Sequence, residues 1–176
     1  MAEWLADISR FAGQGGVVIP VLMLVAVLLW FLIIERYWFV YLVYPARHQT
    51  LLQQWLAREE TSSWYAQKIR EQMIAANRAS LKNSLPTIAN LIAICPMLGL
   101  LGTVTGMVSV FDTIALTGTS DAKAMADGIY RATLPTMAGL VLALSALYFN
   151  HHLKQKTRSL ADTLADQLTA SEVEPS

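Results

Sequence analysis

Apolar residues fall in three runs of membrane-spanning length, over residues 17–34, 91–111 and 132–149. A hydrocarbon core of roughly 30 Å is crossed by about 20 helical residues at a rise of ~1.5 Å each, so each run can span it. Outside these runs the pattern turns amphipathic. Trp4, Leu5, Ile8 and Phe11 share one helical face opposite Glu3, Asp7 and Arg10, ahead of Gly13, Gly15 and Gly16. That predicts an interfacial helix within residues 1–16. Over residues 45–83 two amphipathic helices are expected, broken near 59–63, where Thr61, Ser62 or Ser63 can cap the second. Leu51, Leu52, Trp55 and Leu56 mark the first apolar face, and Trp64, Ile69, Met73 and Ile74 a weaker second one. After the third run, Leu153, Leu160, Leu164 and Leu168 carry a helical stripe through polar sequence. A helix that long needs neighbours beyond the bilayer, which favours an oligomer.

The expected fold is an all-α integral membrane protein with three transmembrane helices. Residues 1–16 form the interfacial helix, 17–44 span one, 45–84 a helical segment, 85–112 span two, 113–127 a turn, 128–150 span three and 151–176 a C-terminal helix. Spans two and three are expected to extend past the membrane.

Composition agrees with this reading and charge orients it. Of 176 residues 55% are hydrophobic and 15% charged, and mean hydropathy is +0.42, well above the range of a soluble domain. The formal net charge of zero hides an asymmetry. Arg47, Arg58, Lys68, Arg70, Arg78 and Lys82 outnumber Glu59, Glu60 and Glu71 between spans one and two, and His151, His152, Lys154, Lys156 and Arg158 follow span three. The turn between spans two and three is instead acidic, with Asp112, Asp121 and Asp127. Positive residues stay inside, so the long loop and C-terminus are expected in the cytoplasm and the N-terminus outside, in the periplasm.

Little mass remains for a catalytic domain, and no Ser/His/Asp set, P-loop or HExxH motif occurs, so no enzymatic activity is expected. The lone Cys95 offers neither a disulfide nor a cysteine metal cluster. His151 and His152 are adjacent and point about 100° apart on a helix, which suits interfacial residues better than metal ligands. No cofactor or metal is expected.

The candidate chemistry lies in spans two and three. Gly99, Gly102, Thr103 and Gly106 share one face of span two, and Ala132, Thr136, Gly139, Ala143 and Ala146 share one face of span three. Each is a small-residue seam containing one threonine. Such seams serve close helix packing, and a polar conduit is the other reading. No Asp, Glu, His, Lys or Arg lies deep in a span: Glu35, Arg36, Asp112, Asp127, Arg131 and His151 all stand at span ends. Intramembrane proton relays use such groups, so this chain has no side-chain relay of its own, and a partner helix would have to supply the titrating carboxylate.

The strings PMLGLLGTVTGMVSVF and GIYRATLPTMAGLVLAL resemble the paired signature of the MotA/TolQ/ExbB proton-channel family. The likeness is specific over about residues 96–146, and the Glu-Arg end of span one, the outside N-terminus and the short outer turn agree with the ExbB and TolQ branch. The resemblance implies a homopentamer in the bacterial inner membrane. Its second and third spans would surround single transmembrane helices of an ExbD- or TolR-like partner carrying a membrane aspartate. It further implies a proton-motive-force-driven motor that energises a TonB- or TolA-like protein, in TonB-dependent transport or in envelope maintenance. Thr103 and Thr136 match the family's pore-lining threonines, and such a hydroxyl can hydrogen-bond a carboxyl group in either protonation state. A passive oligomeric scaffold is the reading from another class. Many members carry a glutamate five residues before the third-span threonine where this chain has Arg131, and a positive ring there would invert the local field. Pro135 and Ser145 are further departures.

Overall fold

The computed structural model describes residues 17–58, 63–117 and 122–170; the interfacial helix expected within 1–16 lies outside them. Every regular element among the described residues is helical. α1 is Val18–Trp38, α2 Tyr44–Leu56, α3 Trp64–Lys82, α4 Leu85–Thr117 and α5 Ala122–Ala170, and a π-helical turn, Phe39–Val43, joins α1 to α2. Three helical stretches are long and apolar enough to cross a membrane: Val18–Leu56, Trp64–Leu116 and Met125–Thr169. The chain is a multi-pass membrane protein.

Local chemistry explains the joints. Pro20 sits in the first turn of α1, where an amide hydrogen has no intrahelical partner to lose. Pro45 has no N–H to return to the preceding turn, and the helix widens just before it, with the Tyr44 amide reaching back to the Phe39 carbonyl. Of the three candidate caps for α3, Ser63 does the work: its hydroxyl accepts from the Ala66 amide at 3.2 Å. The turn expected over 113–127 is narrower than that. Residues 113–117 continue α4, with Thr113 Oγ1 donating to the Ser109 carbonyl, and 122–127 already belong to α5, where Ala122, Ala124 and Ala126 favour helix.

The chain divides into two compact units, Met1–Phe31 with Ala89–Tyr148, and Leu32–Ile88 with Phe149–Ser176. The second is a bundle with a bulky core. Trp55, Ala66, Leu164 and Leu168 are buried together, with Leu51, Leu52, Ile69, Met73 and Ile74 against them. Val40, Leu85 and Leu153 form one neighbouring cluster, and Tyr44, Leu81 and Ala161 another. The leucine stripe of α5 is thus covered by the π-helical turn, α2, α3 and the start of α4 of the same chain. It gives no argument for an oligomer, contrary to the expectation drawn from helix length. Trp64 also departs from its expected apolar face and is 72% exposed. It stands two residues before the buried Ala66, about 200° around α3.

Buried polar groups tie this bundle together. Asn77 Nδ2 donates to the Tyr44 hydroxyl at 3.2 Å, which donates in turn to the Leu160 carbonyl at 3.2 Å. Arg36 is buried at 3% exposure, although its sequence neighbourhood reads as a boundary charge beside Glu35, which is exposed. One guanidinium nitrogen, Nη2, donates to the Ser80 carbonyl at 2.6 Å and also to the Leu81 carbonyl, and the group lies 4.7 Å from the Phe39 ring centroid. A cation on the last carbonyls of α3 satisfies acceptors that have no intrahelical donor and opposes the negative end of the helix dipole. The burial was encoded in spacing: Leu29, Ile33, Arg36 and Val40 fall on one stripe of buried positions.

Candidate functional site

The first unit holds the small-residue seams, and they face each other. The antiparallel pairing of α4 and α5 sets Gly106 against Ala132, Gly102 against Pro135, Gly99 against Pro135 and Thr136, and Gly139 against Cys95. A Cβ added at Gly139 would lie 2.6 Å from the Cys95 carbonyl oxygen, and one at Gly99 2.9 Å from the Pro135 carbonyl oxygen and the Thr136 Cα. No real side chain tolerates such distances, so here the two backbones touch. Gly102 is matched differently: the Pro135 ring occupies the place its Cβ would take, with Val18 Cγ1 3.3 Å away. Ala132, Ala143 and Ala146 are buried as expected of seam residues, Ala146 completely. Cys95 is fully buried beside them, its thiol donating to the Leu91 carbonyl at 3.2 Å.

The two threonines differ. Thr103 Oγ1 donates to the Leu100 carbonyl of its own helix at 2.8 Å. Thr136 Oγ1 donates across the seam to the Gly99 carbonyl at 2.7 Å. This second bond joins α4 to α5, and the absence of a side chain at residue 99 is what lets the hydroxyl reach that carbonyl. Its chemical consequence corrects the symmetric expectation. With its hydrogen committed, Thr136 Oγ1 keeps lone pairs that can accept from a protonated carboxyl, and it can donate to a carboxylate only by giving up the Gly99 bond. Thr103 is freer, because a χ1 rotation releases a bond made within its own turn.

The opposite faces stay open. Leu100, Leu101, Val104, Val108 and Phe111 of α4 and Met137, Leu140, Val141 and Leu144 of α5 are all between 47% and 68% exposed. Only 28%, 22% and 28% of the most apolar stretch of the three spans is buried within the chain, so most of that surface is available to lipid or to neighbouring chains. Between residues 89 and 111, and between 132 and 149, no Asp, Glu, His, Lys or Arg occurs.

Arg131 does not present a bare positive charge. Its guanidinium pairs with the Asp127 carboxylate at 2.9 Å, one helical turn earlier, with the two side chains 51% and 57% exposed. The expected inversion of the local field is replaced by a locally neutral pair, because an Asp at i−4 on the same helix meets the Arg. Among the described residues no three His, Cys, Asp or Glu side chains converge as a metal site. The two terminal histidines have other partners: His152 Nδ1 is hydrogen-bonded to the Tyr37 hydroxyl at 3.0 Å, and His151 Nε2 to the Gln155 side-chain amide at 3.0 Å.

Residues 45–166, more than two thirds of the chain, match the family model described as the MotA/TolQ/ExbB proton channel family. The biopolymer transport protein ExbB of Salmonella typhimurium is 38% identical over 79 residues, 45% of this chain and 32% of that protein. ExbB of Pseudomonas putida is 35% identical over 77 residues, 44% of this chain and 23% of its own length. ExbB of Xanthomonas campestris pv. campestris is 29% identical over 109 residues, 60% of this chain and 43% of its own. The matched stretch thus spans less than half the length of these curated relatives.

Proposed function

The chain belongs to the MotA/TolQ/ExbB proton channel family, on its ExbB-like branch, and from that premise we propose that it is a non-enzymatic subunit of an ion-motive-force-driven motor in the bacterial inner membrane. In this reading several copies, five by analogy with the family, enclose single transmembrane helices of an ExbD- or TolR-like partner. The assembly energises a TonB-like protein for transport across the outer membrane. The observation that carries the reading is the α4–α5 seam itself: two hydroxyls, Thr103 and Thr136, stand in stretches of their spans that hold no Asp, Glu, His, Lys or Arg. A wall of this kind can solvate a carboxyl group brought by another protein without trapping a proton of its own. For scale, one charge crossing about 150 mV releases roughly 3.5 kcal/mol, enough to bias a conformational step.

The bond from Thr136 to Gly99 favours a second reading, in which the seam only packs and the chain is a passive scaffold. Thr103 separates the two, because its hydroxyl contributes nothing between the helices. Thr103→Val is expected to abolish energised uptake in cells while the purified complex keeps its mass. Undiminished uptake by that variant would leave the scaffold reading standing.

A further inference from the structure

In the second unit a groove of about 360 Å³ runs between the π-helical turn with the start of α2 on one side and α5 on the other. Val40, Pro45 and Leu160 supply apolar surface, while Tyr41, His48 and Lys156 bring polar ends to it. The Lys156 ammonium lies 6.0 Å from the centre of the Tyr41 ring, and His48 packs at 5.8 Å against Tyr44. Pro45 gives the groove its shape, since the widened turn before it carries Val40 and Tyr41 into the lining.

We propose that this groove binds the headgroup of an anionic phospholipid. Depth is the first argument. Tyr41 stands seven residues after the apolar run that ends at Ile34, and Lys156 seven residues after the one that ends at Phe149. Seven helical residues measure about 10 Å, which carries both backbones to the outer edge of the headgroup layer flanking the hydrocarbon, with that layer within reach of a long side chain. Tyr37, Trp38 and Tyr41 supply the interfacial aromatic residues of that level.

Charge is the second argument. No carboxylate pairs with Lys156 among the described residues, and none follows span three before Asp162, whereas His151, His152, Lys154, Lys156 and Arg158 all precede it. Arg47 adds to this sign on α2, which has no acidic residue. A basic recess with an apolar floor matches a phosphodiester attached to the upper part of a glycerolipid, with the Lys156 ammonium and the Tyr41 hydroxyl on the phosphate. A soluble phosphate would satisfy the cation but leave the apolar floor wet.

The test is native mass spectrometry of the full-length protein released from micelles doped with phosphatidylglycerol or phosphatidylcholine. Phosphatidylglycerol should be retained in preference. Lys156→Ala should lower its retention about fivefold, the effect of one basic residue near an anionic surface, and Lys156→Arg should restore it. Arg158→Ala removes the same charge about 200° around α5 and should leave retention unchanged. Lys156 is exposed, so its replacement leaves the bundle intact. Equal retention of the two lipids would overturn the proposal, as would equal losses in the Lys156 and Arg158 variants. Displacement of the lipid by glycerol 1-phosphate would overturn it too, by assigning the groove to soluble phosphate esters.

Discussion

The two units hold helices together by opposite means. In the second, Trp55, Tyr44 and the leucines of α5 fill the space between helices with large side chains. In the first, glycine and alanine remove side chains until backbone meets backbone at Gly99 and Gly139. The reason is solvent. Burying an indole out of water stabilises by the hydrophobic effect, but in lipid a leucine gains little by leaving the tails for a neighbouring helix. Association there relies on close contact and on hydrogen bonds such as Thr136 to Gly99. A seam built this way keeps few atoms at the contact and leaves the large side chains outside, where other chains can meet them.

The contrast can be broken at its strongest point first. Trp55→Ala should lower the stability of the second unit by about 3–5 kcal/mol, read as a shift of the chemical unfolding midpoint in detergent. A shift no larger than that of the seam variants below would mean that the bulky core is not what holds the bundle. Arg36→Met keeps an unbranched apolar stem but leaves the Ser80 and Leu81 carbonyls without their donor, and about 2–3 kcal/mol should be lost in the same assay. In the seam, Gly139→Ala drives a methyl into the Cys95 carbonyl and should cost about 1–3 kcal/mol, visible as a lower yield of a cysteine crosslink between α4 and α5. Thr136→Val, close to isosteric, removes one interhelical bond and should cost only about 1 kcal/mol.

The floor of the series is an exposed pair. Glu71 accepts from Lys68 at 2.9 Å, and that hydrogen bond holds its carboxyl below the ordinary glutamate value. A carboxyl lowered in the folded state stabilises above its unfolded pKa and loses that contribution as pH falls through the folded one. Any loss in Glu71→Gln should therefore be small and constant from pH 7 to 5, as for an exposed pair, and should vanish in more acid solution, where Glu71 itself becomes protonated.

Much of this architecture was legible in the sequence, and the exceptions have a common cause. Run length gives the three spans, and steps of three and four give the seams, because both depend on a single helix and the thickness of a bilayer. What pairs with what depends on register between helices, which the period of one helix does not carry. Hence Thr103 and Thr136 look equivalent in sequence, but Thr103 donates within its own helix and Thr136 to the neighbouring one. The α5 stripe reads as an oligomer contact in sequence, yet the π-helical turn, α2, α3 and the start of α4 cover it. Arg36 adds burial to its place at the span end. Its charge marks a boundary, and its place on the stripe of Leu29, Ile33 and Val40 accounts for the burial. Arg131 likewise needed Asp127, four residues away, to be read as neutral.

The Pro135 ring seated in the hollow of Gly102 has a consequence for descent. A methyl can be gained at residue 102 only in a lineage that gives up the ring at 135, and a ring at 135 requires a hollow opposite. The constraint runs one way, so chains that combine a side chain at 102 with proline at 135 should be rare among this chain's own orthologues.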